Sequence, residues 1–183
     1  MKIKHFILDR DGTLIKHIPY LFEKEKVELI PGTIKAIRIL IKKNIKIYLH
    51  TNQSGVGRGY FRISNVLDCN NKMIELIGLG QNIFKETCVA HDYPPSKVSY
   101  RKPSSLFANE LINKYNLNRD SIVYIGDSIS DLRTAKNVGC IAFGVMSGGY
   151  DLKTLIKSEK DLNYDIFPNL LEVVKYLIKN KKI

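Results

Sequence analysis

Two carboxylates stand two residues apart near the start of the chain, in the string Asp9-Arg10-Asp11-Gly12-Thr13. Side chains alternate along a strand, so both carboxylates face the same way if the backbone stays extended through Asp11, and Gly12 then permits a sharp exit. One carboxylate can attack a phosphate monoester while the other protonates the departing oxygen. The pattern indicates phosphoryl transfer; the alternative is a polar strand end built of turn-forming residues.

A second acidic string, Gly126-Asp127-Ser128-Ile129-Ser130-Asp131, follows another apolar run. Mg²⁺ prefers oxygen ligands and often takes one or two carboxylates, so Asp9 and Asp127 from neighbouring strands would form a plausible site. The cation would also offset the repulsion between Asp9 and an anionic phosphate. Asp131 has two interpretations, support of this site or a helix cap alone, because Ser128-x-x-Asp131 fits a capping box.

Two further segments carry groups that suit phosphate oxygens. The string from Thr51 to Gly59 offers a hydroxyl, amides and backbone donors, and its glycine spacing lacks the Gly-x-Gly-x-x-Gly pattern of dinucleotide sites. Arg101-Lys102-Pro103 precedes a predicted helix. Lysine can neutralise the transferring phosphoryl oxygens, and arginine can hold a second anionic group. A basic pair alone is usually a solvated surface, so this motif gains its meaning from the others.

Short apolar runs alternate with amphipathic segments along the chain. The runs predict strands at residues 4–9, 46–51, 86–90, 121–126 and 140–145, and the amphipathic segments predict helices at 33–43, 64–77, 104–115, 130–138 and 170–179. This alternation predicts a Rossmann-like, three-layer α/β/α sandwich with a mainly parallel sheet and functional residues at the carboxyl strand ends. We expect a single domain over residues 1–183, because the inserts at 16–29 and 91–101 are too short for a cap domain.

The composition, 44% hydrophobic with a net charge of +11, is that of a globular chain. Lysines interrupt the most apolar region, residues 37–49, so we expect no membrane partner, and the N-terminus leaves no room for a signal peptide. Three scattered cysteines favour reduced thiols and a cytoplasmic location. No basic stripe interleaved with aromatic residues appears, so a nucleic-acid partner is not expected. The positive charge suits a small anionic substrate, and we expect a monomer.

Taken together and in this order, the Asp9 and Asp11 motif, Thr51, Lys102 and the Asp127 motif resemble the haloacid dehalogenase superfamily of phosphohydrolases. The resemblance implies that Asp9 is the nucleophile and that Asp11 acts first as acid and then as base. It implies that Thr51 and Lys102 stabilise the phosphoryl group. It also implies a Mg²⁺ ion bound by Asp9, the backbone carbonyl of Asp11, and Asp127.

The fuller strings resemble the D,D-heptose 1,7-bisphosphate phosphatase branch and its histidinol-phosphatase relatives over most of residues 4–150. On that likeness the partner would be a small anionic sugar-phosphate substrate. The substrate-binding residues would be His17, Tyr20, Asn52, Gln53, Ser54, Arg58 and Arg101. Histidinol phosphate and a nucleic-acid 3′-phosphate are alternative substrates, and a non-catalytic sugar-phosphate-binding protein is the alternative class.

The chain departs from this branch in the loop before Arg101. Many members have a zinc-binding loop written Cys-x-His followed by Cys-x-Cys, but here Cys88 is followed by Ala90 and then by Val98 and Tyr100. Cys88 and His91 alone cannot complete a tetrahedral structural site. We therefore expect no zinc, and a loop held by Pro94, Pro95 and packing.

Overall fold

Six parallel strands in one sheet organise the computed structural model, which describes residues 2–93, 99–149, 151, 152, 154, 157 and 164–183. The strands are β1 (His5–Leu8), β2 (Lys46–Asn52), β3 (Glu86–Ala90), β4 (Ile122–Gly126), β5 (Ile141–Val145) and β6 (Ile166–Phe167). Their order across the sheet is β3-β2-β1-β4-β5-β6, and every pairing is parallel. The strand that carries the first motif therefore lies inside the sheet.

Helices cover both faces of this sheet. They are α1 (Thr33–Lys42), the short α2 (Ser54–Gly57), α3 (Ile63–Ile77), α4 (Leu106–Tyr115), α5 (Ile129–Val138) and α6 (Leu170–Lys179). One apolar cluster joins the sheet to α1, α3 and α6, and a second joins the other face to α4 and α5. The predicted three-layer α/β/α sandwich is confirmed.

Alternation along the strands supplies both clusters. In β1, Phe6 and Leu8 pack into the first cluster, whereas Ile7 between them packs into the second. Tyr48 and Tyr124 extend the second cluster from the neighbouring strands. Since both faces are covered, the strands are apolar on both sides, as parallel sheets require.

The register brings the motifs to one edge. Leu8 pairs with Leu49 of β2 on one side and with Ile125 of β4 on the other. The residues that follow these three positions therefore emerge side by side at the carboxyl ends of the strands, where ligands of open α/β sheets bind. Asp9, Thr51 and Asp127 all lie just beyond that line.

The sheet has one strand more than the sequence predicts. β6 contains only Ile166 and Phe167, which pair with Gly144 and Val145. A two-residue strand carries no recognisable periodicity, so only its pairing with β5 defines it. In the described part of the chain, no helix is long and apolar enough to cross a membrane. Pro94 and Pro95, expected to hold the loop before Arg101, lie outside the described residues.

Candidate active site

A cavity of about 610 Å³ opens at the carboxyl ends of β1, β2 and β4. The predicted site residues that line it are Asp9, Asp11, His17, Tyr20, Asn52, Gln53, Ser54, Arg101, Lys102 and Asp127. Thr51 is fully buried behind this lining, and Arg58 lies outside it. The fold thus gathers residues from distant parts of the chain around one space.

Lys102 joins two acids at the floor of the cavity. Its Nζ lies 2.7 Å from Oδ1 of Asp9 and 2.5 Å from Oδ1 of Asp131, and all three side chains are almost completely buried. Burial alone would lower the pKa of Lys102, but the charges of Asp131 and Asp9 outweigh it and raise that pKa. The lysine is therefore a fixed cation beside the expected nucleophile.

Asp131 contacts both the start of a helix and Lys102. Its Oδ2 accepts hydrogen bonds from the backbone N–H of Ser128 at 3.1 Å and from the Ser128 hydroxyl at 2.6 Å, which caps the start of α5. Its other oxygen, Oδ1, pairs with Lys102. One carboxylate therefore caps a helix and pairs with the ammonium of Lys102 at the same time.

Asp127 is a candidate metal ligand. It is buried, and its Oδ2 has no hydrogen-bond partner among the described residues. Carboxylate oxygens of Asp9, Asp127 and Asp131 lie within 4.8 Å of one another, and these acids form the one group of three or more His, Cys, Asp or Glu residues in the described chain that could hold a metal. Both carboxylate oxygens of Asp131 are already engaged, Oδ1 by Lys102 and Oδ2 by Ser128, so Asp9 and Asp127 fit an oxygen-loving cation better.

Two glycines give Asp127 its room. A Cβ added to Gly12 would stand 2.0 Å from Oδ2 of Asp127, and one added to Gly148 would stand 1.7 Å from the same oxygen. Gly12 has a φ of 78°, so a side chain there is also strained. Ser147 ties the two turns together by donating to the carbonyl of Gly12 at 2.7 Å. The loop after β5 therefore shapes the candidate metal site.

The clustered acids alter one another's protonation. Burial raises the pKa of Asp9 to about 7; Lys102 opposes this shift, while Asp131 and Asp11 add to it. Burial, followed by the charges of Asp9 and Asp131, raises the pKa of Asp127 to about 9. Burial and mutual repulsion thus favour the protonated forms of these two carboxylates, and a bound cation would favour their charged forms.

Asp11 is held by several donors. Nε2 of Gln53 donates to its Oδ2 at 2.8 Å and to the Thr51 hydroxyl at 2.8 Å, and Thr51 approaches the same carboxylate oxygen at 3.4 Å. The guanidinium of Arg10 contacts both oxygens of Asp11. Thr51, predicted to stabilise the phosphoryl group, is thus packed beside Asp11, and Gln53 links the two.

Asn52 and His50 hold the segment that carries Lys102. The Asn52 side chain accepts from the backbone N–H of Lys102 at 2.9 Å and donates to its carbonyl at 3.3 Å. Nε2 of His50 donates to the carbonyl of Tyr100 at 2.8 Å, so Nδ1 accepts from the Tyr124 hydroxyl at 2.7 Å. Burial, with a smaller effect of Lys102, lowers the pKa of His50 to about 3 and keeps the ring neutral.

Aromatic side chains form one rim of the cavity. Tyr20 and Phe61 line it, Tyr20 meets Tyr60 edge to face at 4.9 Å between ring centroids, and Phe22 stacks on Phe61 at 5.7 Å. Arg58, predicted to bind substrate, instead has its guanidinium carbon 3.4 Å from the ring centroid of Tyr93. Stacking of a guanidinium on an aromatic face explains this placement. Its role as a substrate ligand stays a prediction.

Cys88 and His91, which stand where many relatives have a zinc-binding loop, do not line the cavity. Cys88 is a buried residue of β3 in the second apolar cluster, and burial raises its pKa to about 12. A ring nitrogen of His91 lies 3.2 Å from the carbonyl of Val89. A thiol so strongly held in its protonated form is a poor metal ligand, and the absence of zinc stays a prediction.

Sequence reasoning missed the residues that support the site from behind. Arg10 and Gly148 touch site carboxylates, and His50 orients the Lys102 segment. The position of Arg10 inside the first motif could have indicated its role, because a charged residue at the buried end of a strand needs an ionic or hydrogen-bonding partner. His50 and Gly148 offered none, since their neighbours come from other elements.

Comparison with known proteins decides the family. Residues 99–173 match the model of the HAD-hydrolase-like family. The D-glycero-D-manno-heptose-1,7-bisphosphate 7-phosphatase of Chlorobaculum tepidum is 30% identical over 79% of this chain and 79% of its own length. The chain belongs to the haloacid dehalogenase-like phosphatase family.

Other relatives resemble this haloacid dehalogenase-like phosphatase over its whole length. The D-glycero-alpha-D-manno-heptose-1,7-bisphosphate 7-phosphatase of Campylobacter jejuni is 27% identical over 100% of both chains. A crystal structure of D,D-heptose 1,7-bisphosphate phosphatase from B. bronchiseptica, complexed with magnesium and phosphate, matches with a TM-score of 0.86 and 25% identity, and covers 97% of this chain and 99% of the other. The predicted resemblance is confirmed.

Proposed function

We propose that this chain removes one phosphate from D-glycero-D-manno-heptose 1,7-bisphosphate, at position 7, through an aspartyl-phosphate on Asp9. The observation that carries the proposal is the convergence of Asp9, Asp11, Lys102 and Asp127 on one cavity. The relatives just described are phosphatases of this sugar by name, which supports the choice of substrate. Histidinol phosphate and nucleic-acid 3′-phosphates lack such support.

Asp9 and Asp11 would divide the work in two steps. In the first, a carboxylate oxygen of Asp9 forms a bond to phosphorus as the bond to the sugar oxygen breaks, and Asp11 gives that oxygen a proton. In the second, water attacks the phosphorus, Asp11 takes a proton from it, and Asp9 leaves as a carboxylate. The sum is one water consumed for one alcohol and one phosphate. Lys102, 2.7 Å from Asp9, stabilises negative charge that develops on the phosphoryl oxygens.

Asp9, Asp127 and the backbone carbonyl of Asp11 would hold Mg²⁺. The fit rests on the bare Oδ2 of Asp127 and on its closeness to Asp9. When bound, the ion supplies positive charge that lowers the repulsion between carboxylate and phosphate.

Arg101 is suited to the second phosphate of the substrate. It lines the cavity, and its buried Nη1 has no hydrogen-bond partner among the described residues. A guanidinium with free donors binds phosphate through paired hydrogen bonds. His17, Tyr20 and Ser54 line the same space and would contact the sugar.

A panel of substrates tests the proposal. We would measure phosphate release from both anomers of the heptose bisphosphate, histidinol phosphate and a 3′-phosphorylated oligonucleotide, each with Mg²⁺ or with a chelator. We expect selective, Mg²⁺-dependent release from a heptose bisphosphate. Faster release from another member would replace the substrate and keep the chemistry. Tight binding of the sugar phosphate without any release would instead establish a non-catalytic binding protein.

We also propose that residues 1–183 act as one catalytic domain, as a monomer, in the cytoplasm. The free thiols of Cys69, Cys88 and Cys140 support a reducing compartment. Light scattering coupled to size-exclusion chromatography tests the monomer, and cell fractionation tests the location.

A further inference from the structure

We propose that Arg10 is a positioning residue, which holds the carboxyl group of Asp11 in the orientation for proton transfer and is itself anchored by Asn70. The inference rests on the proposed function, because it assigns Asp11 the role of acid and base. It deepens that function by identifying the residues that fix the orientation of the Asp11 carboxyl group.

The guanidinium of Arg10 is fully buried and has a partner on every nitrogen. Its Nε donates to Oδ2 of Asp11 at 3.0 Å, and its Nη2 donates to Oδ1 of Asp11 at 3.1 Å. Its Nη1 donates to Oδ1 of Asn70, in α3, at 2.9 Å. A planar guanidinium that binds both carboxylate oxygens fixes the plane of the carboxyl group as well as its position.

Asp11 needs such an anchor because it lies beyond the end of β1, next to a glycine turn. Its side chain keeps 17% of its surface exposed, and it faces the cavity. Asp11 must meet the leaving oxygen in the first step and a water in the second, and a misplacement of about 1 Å can cost on the order of 10²-fold in rate. The contact between Arg10 and α3 transfers the rigidity of that helix to the carboxyl group.

The two carboxylate oxygens of Asp11 differ in the number of hydrogen bonds that they accept. Oδ2 accepts from Nε of Arg10, from Nε2 of Gln53 at 2.8 Å and from the Thr51 hydroxyl at 3.4 Å, and Nη2 of Arg10 also lies 2.9 Å from it. Oδ1 accepts from Nη2 of Arg10 alone among the hydrogen bonds of the described residues. The transferable proton is therefore assigned to Oδ1, and Arg10 holds that oxygen in place without occupying it fully.

The test compares two leaving groups in Arg10→Lys, which keeps the charge and loses the paired geometry. Release of a sugar alkoxide needs a proton, whereas release of 2,4-dinitrophenolate needs none. We expect the single-turnover rate with the sugar phosphate to fall by about 10² to 10³-fold, within the range for general acid catalysis, and the first-turnover burst of dinitrophenolate to fall by less than about tenfold. An equal loss with both substrates would mean a structural role only and overturn the proposal.

Asn70→Leu is a second variant, with a side chain of similar size. It removes the hydrogen-bond acceptor of Arg10 and leaves Asp9 and Asp11 unchanged. We expect the same selectivity at a smaller magnitude, with thermal unfolding recorded for both variants. If Arg10→Lys fails to fold, Asn70→Leu decides: a loss confined to the sugar phosphate supports the proposal, and an unselective loss or none overturns it.

Asp11→Asn separates this inference from the proposed function. If Asp11→Asn loses activity without leaving-group selectivity, the acid role of Asp11 itself fails. If Asp11→Asn is selective and Arg10→Lys is not, only the inference about Arg10 fails. Since Arg10 acts through Asp11, adding Arg10→Lys to Asp11→Asn should cause no further loss with the sugar phosphate, and independent, multiplying losses would contradict it.

Discussion

The ammonium of Lys102 lies 2.7 Å from the carboxylate of Asp9, so the expected nucleophile meets a fixed cation before any substrate arrives. The same ammonium contacts Asp131, whose other oxygen caps α5. A helix start, a cation and a nucleophile are therefore linked in one chain of contacts.

Replacing Lys102 by methionine removes the cation and keeps most of the volume. We expect kcat to fall by about 10² to 10³-fold, by analogy with the loss of one preorganised electrostatic contact. Steady-state phosphate release measures it. Lys114→Met is the matched control, because Lys114 is an exposed lysine that pairs with Glu86 and does not line the cavity. Equal rates for the two variants would remove Lys102 from the mechanism.

Asp9→Asn should abolish turnover, since an amide cannot serve as the attacking carboxylate. The shape of the side chain is retained, so circular dichroism should show an intact fold. Phosphate release and acid-quenched phosphoenzyme are the two measurements. A folded variant with a rate near that of the wild type would rule out covalent attack by Asp9.

Gly148→Ala should weaken Mg²⁺ binding without replacing any of the proposed ligands. Gly148 does not have a positive φ, so the backbone accepts alanine, but the new Cβ would stand 1.7 Å from Oδ2 of Asp127 and must displace it. We expect the half-saturating Mg²⁺ concentration to rise by at least about tenfold, the effect reported for supporting groups of metal sites. Because the effect acts through Asp127, Gly148→Ala should add little to Asp127→Asn; unchanged Mg²⁺ dependence of the single variant would argue against the site.

Mg²⁺ binding should strengthen as the pH rises from 6 to 8. The raised pKa values of Asp9, about 7, and Asp127, about 9, mean that the metal-free site holds protons that a cation must displace. Folding raises both pKa values from 3.8, so the metal-free folded protein holds protons that the unfolded chain releases. The stability of the metal-free protein therefore falls as the pH rises from about 4 through the folded-state pKa values of Asp9 and Asp127. Thermal unfolding with and without Mg²⁺ should therefore show a larger stabilisation at pH 8 than at pH 6. A shift independent of pH would contradict this linkage.

His50 should make the protein less stable in mild acid. Its pKa falls from 6.5 to about 3 on folding, so the unfolded chain takes up a proton that the folded ring refuses. The contribution of neutral His50 to the free energy of unfolding is fully present above pH 6.5. It is lost as the pH falls from 6.5 toward 3, by up to roughly 1.4 kcal/mol per pH unit. Urea unfolding at pH 7 and pH 5.5, in saturating Mg²⁺, measures the free energy.

His50→Gln is the control for this pH dependence. Asp9 and Asp127 shift stability in the opposite direction, and the comparison between variant and wild type cancels their contribution. The variant should lose less stability between the two pH values than the wild type. Equal losses would show that His50 does not titrate in this way.

The sequence by itself determined the chemistry and its place in the sheet. Asp9, Thr51 and Asp127 each follow an apolar run, and parallel strands deliver their carboxyl ends to one edge, so these residues had to converge. Lys102 and Arg101 could be assigned to the same place only together with the other motifs, because a basic pair before a helix is usually a solvated surface. Such inferences succeed because the spacing of residues within one element fixes which side chains share a face.

Only the tertiary structure decided the contacts between elements. Arg10 reaches Asn70, 60 residues further along the chain, Gly148 makes room for Asp127, and Arg58 turns to Tyr93 instead of the cavity. Only the packed structure shows that Asp131, which caps a helix, also pairs with Lys102. These relationships depend on how helices and loops pack against the sheet, over distances that local spacing does not encode. Hydrogen bonding and burial therefore settled what the motifs left open.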